Sequence, residues 1–280
     1  MLKKNAIKNE PVNTALLEKF YYERSKNKGT PNIVFVHGYA ANRNSNFLFE
    51  QRNHKYNYYT FNLPGSWEEK KKFTKQDLKI KLHIKLIIKF LEENNLTNVI
   101  LIGHSLGGSL AAMVYNKIKD DNRISKIVLV SPLNITSIPK IITKVNTFFP
   151  KNYKGLIKLH KIAFAQPEII IPKLDARYDF TRKYWYFINI NNQYIKDIQW
   201  ELMKPSLFVQ IEKAYASIEI PTLLIVGTKD KLVDANNSVI HLKHRIKDLT
   251  VVKMDNVGHG LFAENEELYY KSIIKFIEEK

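Results

Sequence analysis

Short runs of aliphatic or aromatic residues recur along most of the chain, separated by longer stretches that mix apolar and charged positions. Runs of this length, ended by glycine, proline or polar residues, are typical of buried strands. Strands that alternate with helices indicate an α/β fold, in which a mostly parallel sheet is covered by helices on both faces. The predicted strands are residues 32–36, 56–61, 99–102, 127–130, 221–227 and 249–254.

Two of the intervening stretches have the pattern of amphipathic helices. Residues 76–95 begin with alternating apolar and polar positions, as a strand would, but the stretch is too long for one. Its apolar residues then recur at helical spacing, with lysines on the opposite face. Residues 264–280 predict a closing helix whose face toward the core is expected to include Leu268, Ile273, Ile274 and Ile277.

The alternation stops between residues 133 and 217, which we call the inserted segment. It carries many aromatic side chains and five prolines, at positions 139, 150, 167, 172 and 205. Because predicted strands lie on both sides of it, the segment interrupts the sheet. Most of its aromatic residues are expected to pack onto the core, and a few to line an apolar pocket.

The first candidate catalytic residue lies in the sequence Gly103-His104-Ser105-Leu106-Gly107. It follows an aliphatic strand and precedes a helix rich in small residues. A Gly-x-Ser-x-Gly turn forces the serine into a strained backbone conformation, and side chains at the two glycine positions would clash there. The turn places the serine hydroxyl clear of the sheet. Ser105 is therefore the candidate nucleophile.

A serine hydroxyl needs a base, and the base needs an acid that holds its tautomer. The strand at 221–227 ends in a loop that carries Asp230, and the strand at 249–254 is followed by His259 between two glycines. Both residues follow the carboxyl ends of strands, where α/β sheets place their sites. The order Ser105, Asp230, His259 along the chain is that of strand-turn-helix hydrolases.

A tetrahedral intermediate also needs two backbone donors for its oxyanion. One is the amide of the residue after the nucleophile, Leu106, and the other comes from the loop after an upstream strand. The strand at 32–36 runs into His37-Gly38-Tyr39, so Tyr39 is the second predicted donor.

With these four motifs in order, the chain resembles the α/β-hydrolase superfamily over about residues 30–135 and 218–280. It is most similar to small esterases, lysophospholipases and monoacylglycerol-lipase-like enzymes. The resemblance implies a hydrolase core at 1–132 and 218–280, with the inserted segment as a helical cap after the sixth strand. It also implies Ser105 as nucleophile, Asp230 as acid, His259 as base, and Tyr39 and Leu106 as oxyanion-hole amides, without cofactor or metal.

Several nearby residues have competing interpretations. Asp234 is an alternative acid, although the family pattern favours the first aspartate after Gly227, and Asp255 is expected in a surface turn. His104 is expected to pack beside its strand, and His37 to brace the oxyanion loop. The remaining histidines have no other potential metal ligand at a suitable spacing in the sequence. They are His54, His83, His160, His241 and His244.

The chain departs from the family pattern at Asn62-Leu63-Pro64-Gly65-Ser66-Trp67. Many relatives have a second glycine where this chain has Trp67. We therefore expect Trp67 near the mouth of the site, where it would change the shape of that edge.

Composition and charge limit which types of site and which partners the chain can have. A chain of 280 residues without cysteine can bury one good core, but it has no disulfide, thiolate metal site or cysteine nucleophile. The net charge of +17 is spread along every segment rather than gathered in one block. This pattern fits compositional drift, with weak association with an anionic membrane surface as the alternative, and it does not favour a nucleic-acid partner. The oligomeric state is open.

No signal peptide and no run of ~20 apolar residues is present, which predicts a cytoplasmic enzyme. The predicted function is hydrolysis of carboxylic esters, with short acyl esters, lysolipids or monoacylglycerols as substrates. Two alternatives keep the triad, namely an acyl-thioesterase and a proline-iminopeptidase-like amide hydrolase. The iminopeptidase-like enzyme would need carboxylates in the inserted segment to bind the substrate amine. A third alternative is a non-catalytic binding protein on the same fold.

Overall fold

The computed structural model describes residues 14–22 and 29–279. A seven-stranded sheet runs through these residues in the order β1-β3-β2-β4-β5-β6-β7. Strand β1 pairs antiparallel with β3, and every other neighbouring pair is parallel. The strands are β1 Glu18–Tyr22, β2 Gly29–Val36, β3 Tyr56–Asn62, β4 Val99–His104, β5 Ile124–Val130, β6 Thr222–Gly227 and β7 Leu249–Met254.

Helices cover both faces of this sheet, as the sequence predicts. Apart from short 3₁₀ turns, the helices are α1 Phe47–Arg52, α2 Ile80–Glu93, α3 Leu106–Ile118, α4 Ile138–Ile142, α5 Tyr153–Ala163, α6 Pro167–Tyr178, α7 Phe180–Leu202, α8 Pro205–Ala216, α9 Ala235–Lys243, α10 Leu261–Glu264 and α11 Glu266–Glu278.

The two faces of the sheet carry separate hydrophobic cores, because successive side chains of a strand point to opposite faces. On one face Leu101 and Leu129 pack with α2, α3 and α8. On the other face Ile102 and Val128 pack with α1 and α11. Burial on both faces explains why the central strands are continuous aliphatic runs. Because these strands are parallel, the carboxyl ends of β4, β6 and β7 lie at the same edge of the sheet.

All six predicted strands are present, and residues 80–93 are the helix that the spacing predicts. The predicted closing helix is present as α11, and it begins at Glu266 because the Asn265 side chain caps it by accepting a hydrogen bond from the Leu268 amide at 3.1 Å. Ile273 and Ile277 are buried and Ile274 is partly buried, whereas Leu268 is 39% exposed. The expectation that Leu268 faces the core is therefore wrong.

The inserted segment forms helices α4 to α8 between β5 and β6. Among the described strands this insertion follows the fifth. Helix α8 packs against α3, and its Ile211 and Tyr215 belong to the main core. The division of the chain into a core and a cap stays a prediction. No helix of the described residues is both long enough and apolar enough to span a membrane.

Candidate active site

Ser105 lies at the apex of the turn between β4 and α3. Its φ of 55° and ψ of −120° are a conformation that non-glycine residues rarely adopt. A side chain at Gly103 would overlap the Gly107 carbonyl, and one at Gly107 would overlap the Val36 carbonyl. The Ser105 amide donates to the Val130 carbonyl at 2.9 Å, which ties the turn to β5. The predicted strained turn is thus present, and neighbouring strands hold it in place.

The structure brings His259 and Asp230 together. The Nδ1 atom of His259 lies 2.7 Å from Oδ2 of Asp230, and both side chains are buried. The other carboxylate oxygen, Oδ1, accepts hydrogen bonds from the amides of Leu232 at 2.7 Å and Val233 at 2.9 Å. The loops that follow β6 and β7 therefore supply every group in this set of contacts.

Burial by itself would raise the pKa of the Asp230 carboxyl. The neighbouring His259 and the two backbone amides outweigh burial, so that the pKa lies below its ordinary value. The carboxylate is therefore ionised at neutral pH. An ionised Asp230 holds a proton on Nδ1 of His259, which leaves Nε2 free to accept one.

The alternative acid, Asp234, is engaged elsewhere. Its Oδ1 accepts from the Asn237 amide at 3.0 Å and so caps α9, while Oδ2 lies 3.3 Å from Nζ of Lys140. Lys140 also donates to the backbone carbonyl of Asp230 at 3.1 Å, which fixes the acid loop from the side of α4. Asp255 is exposed in the turn after β7, as predicted.

The loop that carries His259 is held by Glu264, a residue that sequence reasoning missed. Its Oε1 accepts from the Gly258 amide at 2.7 Å, and its Oε2 accepts from the Ala165 amide at 2.9 Å. Beside it, the Gly260 amide donates to the Ala163 carbonyl at 2.9 Å. These bonds join the histidine loop to the turn between α5 and α6. No local feature of the sequence marks Glu264 for this role, because its partner Ala165 lies 99 positions earlier.

His104 and His37 act as neutral braces. Nε2 of His104 donates to the His259 carbonyl at 2.9 Å, and burial, with His259 nearby, lowers the pKa of His104 to about 3. His104 thus holds the backbone of His259 as well as packing beside its strand. His37 bonds the Gly38 carbonyl through Nδ1 at 2.9 Å and accepts from the Leu63 amide through Nε2 at 3.2 Å. Burial lowers the pKa of His37 to about 4.

The two predicted oxyanion donors belong to segments that lie next to Ser105. Leu106 is the first residue of α3, so its amide has no acceptor within the helix. Tyr39 follows Gly38, where an added Cβ would lie only 3.0 Å from Cβ of Ser105. The Tyr39 hydroxyl donates to the Ile195 carbonyl of α7 at 2.9 Å, which fastens this loop to the inserted segment.

Ser105, His259, Tyr39 and Leu106 all line one cavity of about 1650 Å³ beneath the inserted segment. Its walls are mainly aliphatic and aromatic side chains from α4, α5, α7 and α8. Trp67 is not among them. It is buried against Phe73, with a ring separation of 5.7 Å, and its carbonyl accepts from Asn191. The expectation that Trp67 lies at the mouth is therefore wrong.

The described residues contain no group of three or more histidine, aspartate or glutamate side chains placed to hold a metal ion. Nε2 of His241 lies 2.6 Å from Oε2 of Glu212, and Nε of Arg245 contacts the same carboxylate oxygen. The Glu212 side chain in this contact also lines the cavity.

The model of the alpha/beta hydrolase fold family matches residues 31–266. The chain belongs to the α/β-hydrolase fold family. A Mycoplasma genitalium protein named "Putative esterase/lipase 2" is 28% identical over 275 residues, covering 95% of each chain. A "Monoglyceride lipase homolog" of monkeypox virus is 24% identical over 182 residues, covering 64% of this chain and 61% of its own.

Solved structures show the same α/β-hydrolase fold. A crystal structure described as a putative lipase from Acinetobacter baumannii AYE superposes with a TM-score of 0.78 and 22% sequence identity, covering 95% of this chain and 89% of its own. An esterase from Exiguobacterium antarcticum gives a TM-score of 0.71 at 17% identity, covering 94% and 96%.

Proposed function

We propose that this α/β hydrolase is a serine hydrolase that cleaves carboxylic esters through an acyl-enzyme, with Ser105 as nucleophile, His259 as base and Asp230 as acid. The observation that carries the proposal is the buried His259–Asp230 pair at 2.7 Å, which shares one cavity with the strained Ser105. Relatives over nearly the whole chain named as esterases or lipases support the same bond type.

In the proposed reaction, each step is carried out by a named group. Nε2 of His259 accepts the Ser105 hydroxyl proton as Oγ attacks the ester carbonyl carbon, and the Tyr39 and Leu106 amides stabilise the oxyanion. The tetrahedral intermediate then collapses, and His259 returns the proton to the departing alcohol. Water adds to the acyl-enzyme by the same route and releases the acid and free Ser105.

The cavity favours an acyl substrate. Its walls are mostly aliphatic and aromatic, and such surfaces bind acyl chains through removal of apolar area from water. Its volume of about 1650 Å³ exceeds the roughly 300–1,000 Å³ that is typical of small-molecule sites. Lysolipids and monoacylglycerols therefore fit the proposal better than very short esters alone.

An iminopeptidase has less support from the inserted segment. Four carboxylates of the inserted segment do not line the cavity, namely Glu168, Asp175, Asp179 and Glu201. Glu212 does line it, but its carboxylate already contacts His241 and Arg245. Asp175 accepts from the amide and hydroxyl of Thr181, Asp179 pairs with Arg182, and Glu201 pairs with Lys204. Glu168 is exposed. None is placed to hold a substrate amine.

A hydrolysis panel tests the proposal. The panel contains p-nitrophenyl esters of graded chain length, a lysophospholipid, a monoacylglycerol, an acyl-CoA and a proline amide. We expect turnover of the oxygen esters and its loss in Ser105→Ala, with the melting temperature unchanged because the hydroxyl contributes little to packing. Turnover of the acyl-CoA or the amide alone would contradict the assigned bond type.

A further inference from the structure

Helix α4 forms part of the cavity wall but contributes little to the core. Ile138, Ile141 and Ile142 line the cavity, and none of the residues of α4 is buried. Ile141 packs partly against the main core, whereas Ile142 is 50% exposed. A segment with few buried apolar contacts is held weakly by the fold. The position of α4 therefore depends on its polar contacts and on what fills the cavity.

The wall that contains α4 begins beside the proposed nucleophile. The Leu133 amide donates to the Ser105 carbonyl at 3.0 Å, and Leu133 lines the cavity shortly before α4 begins. An acyl chain that extends from Ser105 along this wall would cover Ile138 and Ile141. Removing that apolar area from water would hold α4 against the chain, and a longer chain would cover more of it.

Lys140 joins α4 to the loop that carries the proposed acid. Its Nζ donates to the Asp230 carbonyl at 3.1 Å and lies 3.3 Å from Oδ2 of Asp234, and its side chain is 33% exposed. On the opposite side, the Asp230 amide donates to the Gly227 carbonyl of β6 at 3.1 Å. The backbone of Asp230 is thus tied to the sheet through its amide and to α4 through its carbonyl.

We propose that Lys140 is a positioning residue that couples binding of the acyl chain along α4 to the placement of Asp230. A chain that covers α4 holds the helix in place, and Lys140 then fixes the Asp230 carbonyl. With a short chain, α4 and the acid loop are held less firmly. Binding energy from the far end of the substrate therefore raises kcat instead of only lowering KM. The inference rests on the proposed ester hydrolysis and adds a residue outside the triad.

The test measures kcat and KM separately for p-nitrophenyl esters from acetyl to decanoyl, below the concentrations at which they form micelles. The leaving group is the same throughout, so differences come from the acyl chain. We expect the wild-type kcat for the decanoyl ester to exceed that for the acetyl ester by about five- to tenfold, the factor that one hydrogen bond supplies. A kcat that does not depend on chain length, with only KM falling, would overturn the inference.

Three variants assign the effect to the lysine ammonium. Lys140→Met keeps an unbranched side chain but removes the donor, so the ratio of the two kcat values should fall below about twofold while KM still decreases with chain length. Lys140→Arg keeps a charged donor and should retain most of the ratio. Lys144→Met is the matched control, because the Lys144 ammonium contacts the Lys140 carbonyl and the Thr143 hydroxyl, both at 3.3 Å, and should leave the ratio unchanged.

The outcomes separate this inference from the proposed function. A folded wild-type protein that hydrolyses none of the esters would contradict ester hydrolysis itself. A ratio that Lys140→Met leaves unchanged, or a loss of kcat that is equal for all chain lengths, would refute the coupling and leave ester hydrolysis standing. If Lys140→Met does not fold, Ile138→Ala decides, because it shortens the wall and should lower the ratio; an unaltered ratio there counts against the inference.

Discussion

Replacing Asp230 with asparagine should remove activity without disturbing the fold, for a reason visible in its hydrogen bonds. The amides of Leu232 and Val233 both donate to Oδ1, so the side-chain oxygen of the introduced asparagine should stay at that position. The NH₂ group then faces Nδ1 of His259, 2.7 Å away in the native pair. Two donors cannot pair, so Nδ1 must become an acceptor and the proton moves to Nε2.

A histidine with its proton on Nε2 cannot accept the Ser105 proton. The same tautomer error costs about 10⁴-fold in kcat in a serine protease, and we expect a loss of that order here for a p-nitrophenyl ester. KM and the melting temperature should change little, because the shape and both backbone hydrogen bonds are kept.

Asp234→Asn is the matched control. Asp234 caps α9 and pairs with Lys140, so its change should lower stability by about 1 kcal/mol or less and leave kcat within about twofold. Similar losses of kcat in both variants would refute the assignment of Asp230. The reverse ranking would move the acid to Asp234.

Four further results are expected. Glu264→Gln should lower kcat more than it raises KM, because one amide of the Gly258–Ala165 link then faces a donor; unchanged kcat would show that Glu264 does not position His259. Gly107→Ala should destabilise by about 3 kcal/mol or prevent folding, measured by denaturant melts, since its Cβ would lie 2.6 Å from the His37 carbonyl oxygen. The melting temperature should fall as the pH decreases from about 6.5 toward 4, because the unfolded chain takes up protons on four histidines that stay neutral when folded; a flat profile would contradict their burial. These histidines, whose pKa burial lowers, are His37, His83, His104 and His160. Hydrolysis of a lysolipid should be equally fast on anionic and neutral vesicles, because the +17 charge is distributed; an anionic advantage at low salt that disappears at about 1 M would show that the charge acts.

The parts of the site that the sequence predicted are those set by local chemistry. Gly103 and Gly107 on either side of Ser105 specify the turn, because a side chain at Gly103 would overlap the backbone of Gly107 and one at Gly107 would overlap the Val36 carbonyl. Asp230 and His259 follow the ends of β6 and β7, and parallel strands bring such ends to one edge. Continuous aliphatic runs likewise predicted the central strands, since both faces of the sheet are buried.

The parts that the sequence did not predict depend on contacts between distant residues. Glu264 reaches the amide of Ala165, 99 positions earlier, and nothing near either residue specifies that bond. Strand β1 lies at the edge of the sheet and pairs antiparallel with β3, so its place depends on its partner. Trp67 was expected at the cavity from its position in a motif, but packing against Phe73 buries it elsewhere.

The central claim is that Ser105 is the nucleophile, and covalent labelling tests it most directly. The wild-type protein, treated with a fluorophosphonate probe, should gain the mass of one probe, and peptide mapping should place it on Ser105. Ser105→Ala should remain unlabelled while keeping the wild-type melting temperature, and Asp230→Asn should label far more slowly. A folded wild-type protein that resists the probe, or one labelled at another residue, would contradict the account.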